Sequence, residues 1–501
     1  MIDPATLQVM ASALRGVAEE MGAALIRSAH SANIKERRDC STALFDPSGR
    51  MIAQAEHIPV HLGAMPDAVA AVLARDPAPG DIYVINDPYT GGTHLPDITL
   101  VSIVGGLGVL VSRAHHADVG GMWAGSLPAS STELYQEGLI IPPVPLTADV
   151  MRLLLANMRH PHQRTADLRA QLSCHAVGAE RLCELAARHG PARLVSAMDE
   201  LHDYAERRMR AAIARVPDGA YRASDLVEEA GGGDVKIAVK VTVRGGEIVA
   251  DFAGTDPQRP SNLNCPLSVT RSATYYVVRM LCAPDLEASG GAFASIDVRA
   301  PAGCLVNSSF PAAVVAGNTE TSSRIVDVVT AALGRALPAP AMGQGTMNNI
   351  VLGNERFGYY ETIAGGQGAC RDADGPDAVH VAMSNTLNTP VEVLEREYPL
   401  RVDRYALRRG SGGDGAHRGG EGVIRALRVL EDCRASVVTE RRRHAPKGTA
   451  GGKDGAPGEN RLNGRRTGGK WSRELQAGDV LEIRTPGGGG YGRPRKRPGR
   501  A

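Results

Sequence analysis

The chain has 501 residues, of which 43% are hydrophobic and 22% charged, and its formal net charge is +1. So even a balance excludes the strong global field that draws a protein to nucleic acid or to an anionic membrane, and no run of about 18 apolar residues is available to cross a bilayer. A length well beyond about 300 residues calls for two or more domains, and 58 glycines beside 4% aromatics point to many tight turns around an Ala, Val, Leu and Ile core.

In chain order, residues 3–32 read as an amphipathic helix. Asp3 can cap it, Pro4 fits its first turn, and Leu7, Met10, Leu14, Val17, Met21 and Leu25 recur at spacings of three and four. Short strands follow at 42–45, 51–53, 82–85, 98–103 and 107–112, most of them bounded by Gly, Pro or Asp. A mainly helical section covers 147–216 and stops at Pro217-Asp-Gly219. Alternation then returns, most clearly in Val235-Lys-Ile-Ala-Val-Lys-Val-Thr-Val243 before the Arg-Gly-Gly turn at 244–246. Beyond 400 the chain is glycine-rich, with strands at 435–439 and 480–484. The expected class is mixed α/β: a large multi-domain chain with mixed sheets, a helical section and a glycine-rich β-type C-terminal region. The divisions fall at 1–146, 147–220, 221–400 and 401–492, followed by a basic tail at 493–501 that is expected to be disordered. The N-terminus has no basic, apolar leader pattern, and the eight cysteines lie far apart without CxxC spacing. Both features lead to the expectation of a cytoplasmic protein with reduced thiols.

The chemistry-bearing residues gather in three segments. Asp39 stands in Glu36-Arg-Arg-Asp-Cys-Ser41, His94 and Asp97 stand in Asn86-Asp-Pro-Tyr-Thr-Gly-Gly-Thr-His-Leu-Pro-Asp97, and His115, His116 and Asp118 stand in Ala114-His-His-Ala-Asp-Val-Gly-Gly121. Imidazole with carboxylate is the donor set of a divalent ion such as Zn, Mn or Fe. Each motif by itself reads more readily as a well-bonded loop than as a metal site. They become one site only if the segments end neighbouring strands, and in an extended chain His115 and His116 point to opposite faces, so they would not share an ion. The glycine clusters at 365–366, 410–415, 419–422 and 486–490 lack the GxxxxGK[ST] and GxGxxG spacings and read as turns and close backbone packing, so ATP binding by this chain has no support. Neither Ser126 nor Ser384 lies in a GxSxG elbow, and Cys40 has no histidine at a diagnostic spacing.

The same segments resemble those of the hydantoinase B/oxoprolinase family. So do Glu137-Gly-Leu-Ile-Ile-Pro-Pro143, Asp167-Leu-Arg-Ala-Gln171, Asp251-Phe-Ala-Gly-Thr-Asp-Pro-Gln258, Gly317-Asn-Thr-Glu-Thr-Ser322, Tyr360-Glu-Thr-Ile-Ala-Gly-Gly366, Asn385-Thr-Leu-Asn-Thr-Pro390 and Arg409-Gly-Ser-Gly-Gly413, in order over roughly 2–492. The resemblance implies a metal-site subunit of an ATP-dependent cyclic amide hydrolase that opens hydantoin, 5-oxoproline or lactam rings. Its partner would be a hydantoinase A-type subunit that binds ATP and phosphorylates the small-molecule substrate, in a hetero-oligomer such as a heterotetramer. By the same resemblance the metal ligands fall on Asp39, His94, Asp97 and His115, with His116 turned away and Asp118 orienting a ligand. Asp118 and Glu137 are catalytic candidates, and Glu320 is a further candidate base. The resemblance leaves two alternatives: the metal subunit of an ATP-dependent ketone carboxylase, marked by bicarbonate dependence, and a scaffold whose metal is structural. The sequence departs from the family pattern at Ala382, where a second histidine is usual after His380, and at Leu387, where arginine is frequent. Both departures weigh against a strongly charged substrate.

Overall fold

The computed structural model describes residues 2–56 and 58–494; the tail expected at 493–501 lies outside the described residues from 495 onward. Helix α1, Pro4–Ser28, is capped by Asp3, whose carboxylate accepts the Thr6 N–H at 3.0 Å, and it buries Met10, Leu14, Val17, Met21 and Leu25. It ends four residues before the expected boundary at residue 32. Asp167, from a distant helix, takes the N–H groups of His30 and Ser31, each at 2.9 Å, and turns the chain into the short helix α2, Ala32–Lys35.

The first sheet is built from β1 (Cys40–Phe45), β2 (Met51–Glu56), β3 (Ile82–Ile85), β4 (Asp97–Val104), β5 (Gly108–His115) and β6 (Val144–Pro145), in the order β2-β1-β5-β4-β3-β6. Every neighbouring pair is antiparallel. Helix α3, Met65–Leu73, covers part of one face, and α1 packs against the other face beside α5, Pro161–His189. In the chain α4, Ala148–Ala156, precedes α5 and α6, Pro191–Ile213, follows it, so helices fill the section expected to be helical.

A second sheet joins β7 (Gly219–Glu228), β8 (Asp234–Arg244), β9 (Glu247–Asp251) and β10 (Ile296–Arg299) in the order β10-β9-β8-β7. Helices α7 (Leu267–Cys282), α8 (Gly290–Phe293) and α9 (Ser322–Leu333) accompany it, and α9 lies against β7 and β8. The C-terminal third holds two further sheets. One orders β12 (Gly358–Glu361), β11 (Asn349–Gly353), β15 (Cys433–Val438) and β18 (Lys470–Leu475). The other orders β13 (Leu400–Arg408), β14 (Gly422–Val429), β19 (Val480–Arg484), β16 (Glu459–Leu462) and β17 (Arg465–Thr467), with helix α10, Val391–Glu397, leading into β13. The class is therefore mixed α/β, and no helix among the described residues is long and apolar enough to cross a membrane.

The largest core runs from Ala43 and Phe45 through the second sheet to Met383 and Val438, so the first sheet and the later regions share one interior. The C-terminal glycines pack backbone on backbone. A Cβ at Gly488 would lie 2.0 Å from the Gln367 carbonyl oxygen, and one at Gly419 would lie 2.0 Å from that of Gly488. These glycines form packed backbone junctions, as their spacing predicted.

Candidate metal centre

Strand register assembles the site. In the β4–β5 pair Asp97 stands opposite His115, and in the β1–β5 pair Cys40 stands opposite Ala114. One residue before Cys40, the Asp39 carbonyl accepts the His115 N–H at 3.0 Å. Residues directly opposite one another in a ladder show their side chains on the same face, so Asp39, His115 and Asp97 form one row across three adjacent strands. The next row on that face is Ser41, Arg113 and Thr99, while the residues between them, Cys40, Ala114 and Ile98, enter apolar cores on the other side. His116 follows the alternation: it faces away from the row and meets the Gln171 side chain of α5 at 2.9 Å.

His94 reaches the row from the loop before β4. Gly91 has φ +110° and Gly92 has no space for a Cβ, which would fall 2.1 Å from the Asn86 carbonyl oxygen. Arg113 donates to the Gly91 carbonyl at 2.7 Å, Asn86 donates to those of Leu95 and Leu139, and the Asp97 N–H bonds the His94 carbonyl at 3.0 Å. The loop is thus tied at both ends to the sheet that carries the other donors.

His94 Nε2, His115 Nδ1 and Asp97 Oδ1 form a triangle with three sides of 3.1 Å. Two ligand atoms each about 2.1 Å from a shared ion stand roughly 3.0–3.4 Å apart, so this triangle fits a divalent cation. The Asp39 carboxylate lines the same cavity and receives no hydrogen bond among the described residues. That cavity has a volume of about 20 Å³, room for about one ion or water. A cation also answers the electrostatics. Burial opposes charge on Asp97, yet the charge of His94 and the hydrogen bonds from His115, His61 and His94 hold its carboxyl well below the ordinary range. Burial likewise opposes charge on His94, but Asp97 raises its pKa.

Several neighbours carried no signal in the sequence. His61, from the turn Pro59–His61, lies 3.4 Å from Asp97 and bonds the Ser41 hydroxyl at 3.0 Å. The Tyr360 ring stacks on His115 at 4.5 Å, and the Arg37 guanidinium lies 4.6 Å over the same ring while donating to the Tyr360 carbonyl and the Thr362 hydroxyl. Asn318 and Thr319 complete the opposite wall. The segments Gly317–Ser322 and 360–366 stood out in the sequence, but nothing in their spacing gave them a role.

The other candidates lie outside the cavity. Asp118 accepts the N–H groups of Gly120 and Gly125 and pairs with Arg159 at 3.0 Å, organising its own loop. Glu137 accepts the Ser131 hydroxyl and the N–H groups of Val314 and Val315, and burial lifts its pKa to about 7. Glu320 bonds the Asn349 amide at 3.2 Å, and Asn349 in turn accepts from the Tyr360 hydroxyl at 2.9 Å, so Glu320 reaches the row only through Tyr360.

Similarity to known proteins extends over nearly the whole chain. Residues 3–494 match the family model described as hydantoinase B/oxoprolinase. An uncharacterised protein of Methanocaldococcus jannaschii is 39% identical over 99% of this chain and 92% of its own length. The 5-oxoprolinase 1 of Arabidopsis thaliana is 36% identical over 98% of this chain, which spans only 42% of the plant protein. The putative B-type subunit of a D-/L-hydantoinase from a Pseudomonas species is 31% identical, covering 99% of this chain and 91% of that one. Among solved structures, the ATP-dependent caprolactamase of Pseudomonas jessenii superposes with a TM-score of 0.93 at 31% identity, over 99% of this chain and 92% of that one. Acetone carboxylase shares the fold, with a TM-score of 0.88 at 17% identity over 99% of this chain and 76% of its own. With a family match from end to end, this chain belongs to the hydantoinase B/oxoprolinase family.

Proposed function

We propose that this chain is the metal-site subunit of an ATP-dependent cyclic amide hydrolase. The observation that carries the reading is the buried triangle of His94 Nε2, His115 Nδ1 and Asp97 Oδ1, three ligand atoms 3.1 Å from one another and within reach of one ion, beside the Asp39 carboxylate. Relatives named as a 5-oxoprolinase, as a hydantoinase subunit of the B type and as an ATP-dependent caprolactamase supply the reaction class. The name of the hydantoinase relative supports a separate partner subunit, here a hydantoinase A-type chain that binds ATP and phosphorylates the amide oxygen.

A bound divalent ion, zinc or manganese or else iron, would polarise that oxygen and favour attack by water. The chain's own residues prepare the site for it. Asp97 is oriented by Thr93 and His61, the latter held by Ser41. Tyr360 closes the side of His115 against solvent, and Arg37 fixes Tyr360 by its carbonyl and its ring face. One water opens the ring and a second is consumed as phosphate leaves. Ring amide, ATP and two waters thus become amino acid, ADP and phosphate.

The test is to combine the chain with a hydantoinase A-type subunit and measure bound metal, ring-opened acid and phosphate for wild type, Asp39→Ala and His94→Ala. Both variants should stay folded, lose metal and lose ATP-dependent turnover. Wild-type turnover in metal-depleted variants would overturn the reading, and unfolding of both on metal loss would favour a structural ion.

A further inference from the structure

Residues Gly317–Thr321 form one π turn at the head of α9. Such turns are rare and occur frequently at functional sites. This one is braced from several directions. A Cβ on Gly317 would lie 1.8 Å from the Asn264 carbonyl oxygen, so no other residue allows the approach. The Ala316 and Gly317 N–H groups share the Asn262 carbonyl at 2.9 Å, and the Thr321 hydroxyl donates to that of Leu263 at 2.6 Å. Glu137 grips the approach to the turn through Val314 and Val315, and Glu320 anchors it to Met347 and Asn349.

All this bracing serves two side chains that bond to nothing. Asn318 and Thr319 are 3% and 1% exposed and line the metal cavity, yet Asn318 Oδ1 and Thr319 Oγ1 have no hydrogen-bond partner. A buried polar atom left unpaired is costly, and here two consecutive ones face three convergent metal donors. One turn further on, the Ser322 and Ser323 hydroxyls donate to the carbonyls of Asn318 and Thr319.

We propose that Asn318 and Thr319 are the substrate-recognition residues of this site. Asn318 Oδ1 can only accept, so its complement is a donor: the N–H of a ring amide whose oxygen is turned to His94, Asp97 and His115. The Thr319 hydroxyl, both donor and acceptor, binds the polar edge beside that N–H. Ile58, Val60, Met347 and Met383 form the apolar part of the lining, and because about 20 Å³ holds only one ion or water, the flexible Met347 and Met383 must turn aside to admit a ring. The ligand class is a small ring amide that keeps its N–H, and N-alkylated rings are disfavoured. This assignment rests on the reading of the site as an amide-opening centre.

The test needs neither ATP nor partner. The full chain is loaded with Co(II), and its visible spectrum is titrated with 2-pyrrolidinone and with N-methyl-2-pyrrolidinone, for wild type, Asn318→Ala and the isosteric Thr319→Val. Metal content and thermal unfolding are followed in parallel. Wild type should prefer the N–H ring about tenfold or more, the worth of about one hydrogen bond to a site that would otherwise stay unpaired. The preference should vanish in Asn318→Ala and weaken in Thr319→Val, with cobalt content unchanged. An undiminished preference in both variants overturns the assignment alone, and loss of cobalt from either overturns it in favour of a role in metal binding. A cobalt-loaded wild type that responds to neither ring overturns both the amide reading and this assignment.

Discussion

Two buried polar clusters in this molecule differ in one respect. Behind α9, Arg324 pairs with Asp327 at 2.8 Å, Asp225 at 3.3 Å and Glu440 at 3.3 Å, Arg441 pairs with Asp225 and Asp327 at 2.7 and 2.6 Å, and Lys470 closes on Glu440. Three cations meet three carboxylates. At the row Asp39–His115–Asp97, two carboxylates and three imidazoles converge, and no arginine or lysine among the described residues pairs with either aspartate. The nearby guanidiniums of Arg37 and Arg113 are turned to hydroxyls and backbone carbonyls instead. A buried cluster with matched fixed charges serves the fold, whereas this row, whose aspartates face only imidazoles, is the proposed seat of a cation.

Substitution in each cluster should separate these roles. The largest effect belongs to the metal row: His94→Gln should cut ring opening by about 10⁴-fold, ~5 kcal/mol of barrier from the loss of the ion, while urea stability changes by less than about 1 kcal/mol. A matching collapse of stability would erase the contrast. Arg324→Ala should do the reverse, costing about 3–5 kcal/mol in urea because it strands buried carboxylates, with metal content per folded chain unchanged.

Glu320 joins the two regions, and its effect depends on pH. Burial and then the charge of Glu440 raise its pKa from 4.5 to about 7. The folded chain therefore keeps this proton where the unfolded chain has lost it, so the associated stability is whole below 4.5 and drains away as pH rises to about 7. Glu320→Gln removes that loss. It should match wild type near pH 4.5 and exceed it by about 3 kcal/mol at pH 8, and a difference independent of pH would refute the assignment. The smallest effect lies far from both clusters: Asp3→Ala removes the cap of α1 and should lower thermal stability slightly, with metal binding and turnover intact.

Much of this was legible residue by residue. The period of α1, the strands of the first sheet and the opposed faces of His115 and His116 all follow from spacing, because local backbone geometry sets which way a side chain points. The glycine pair at 91–92 marked a stiff loop, and the absence of a phosphate-binding spacing left the C-terminal glycines to packing. The helix end at Ser28 was not legible, since Asp167, 136 residues or more away, supplies the acceptor that stops it. Nor was His61, which lies in a short turn without periodicity.

By itself, then, the amino-acid order determined the candidate ligand types, the loop that stiffens His94, and the alternation that turns His116 away from the row. Only the tertiary structure decided that β1, β5 and β4 are neighbours in a register that puts Asp39, His115 and Asp97 on one row. Likewise, it alone brought the π turn with its unpaired Asn318 and Thr319 to face them. The physical reason is the same in both cases: Asp97 and Asp39 lie 18 and 76 residues from His115 and the π turn about 200 from it, and no local period records which partner lies opposite.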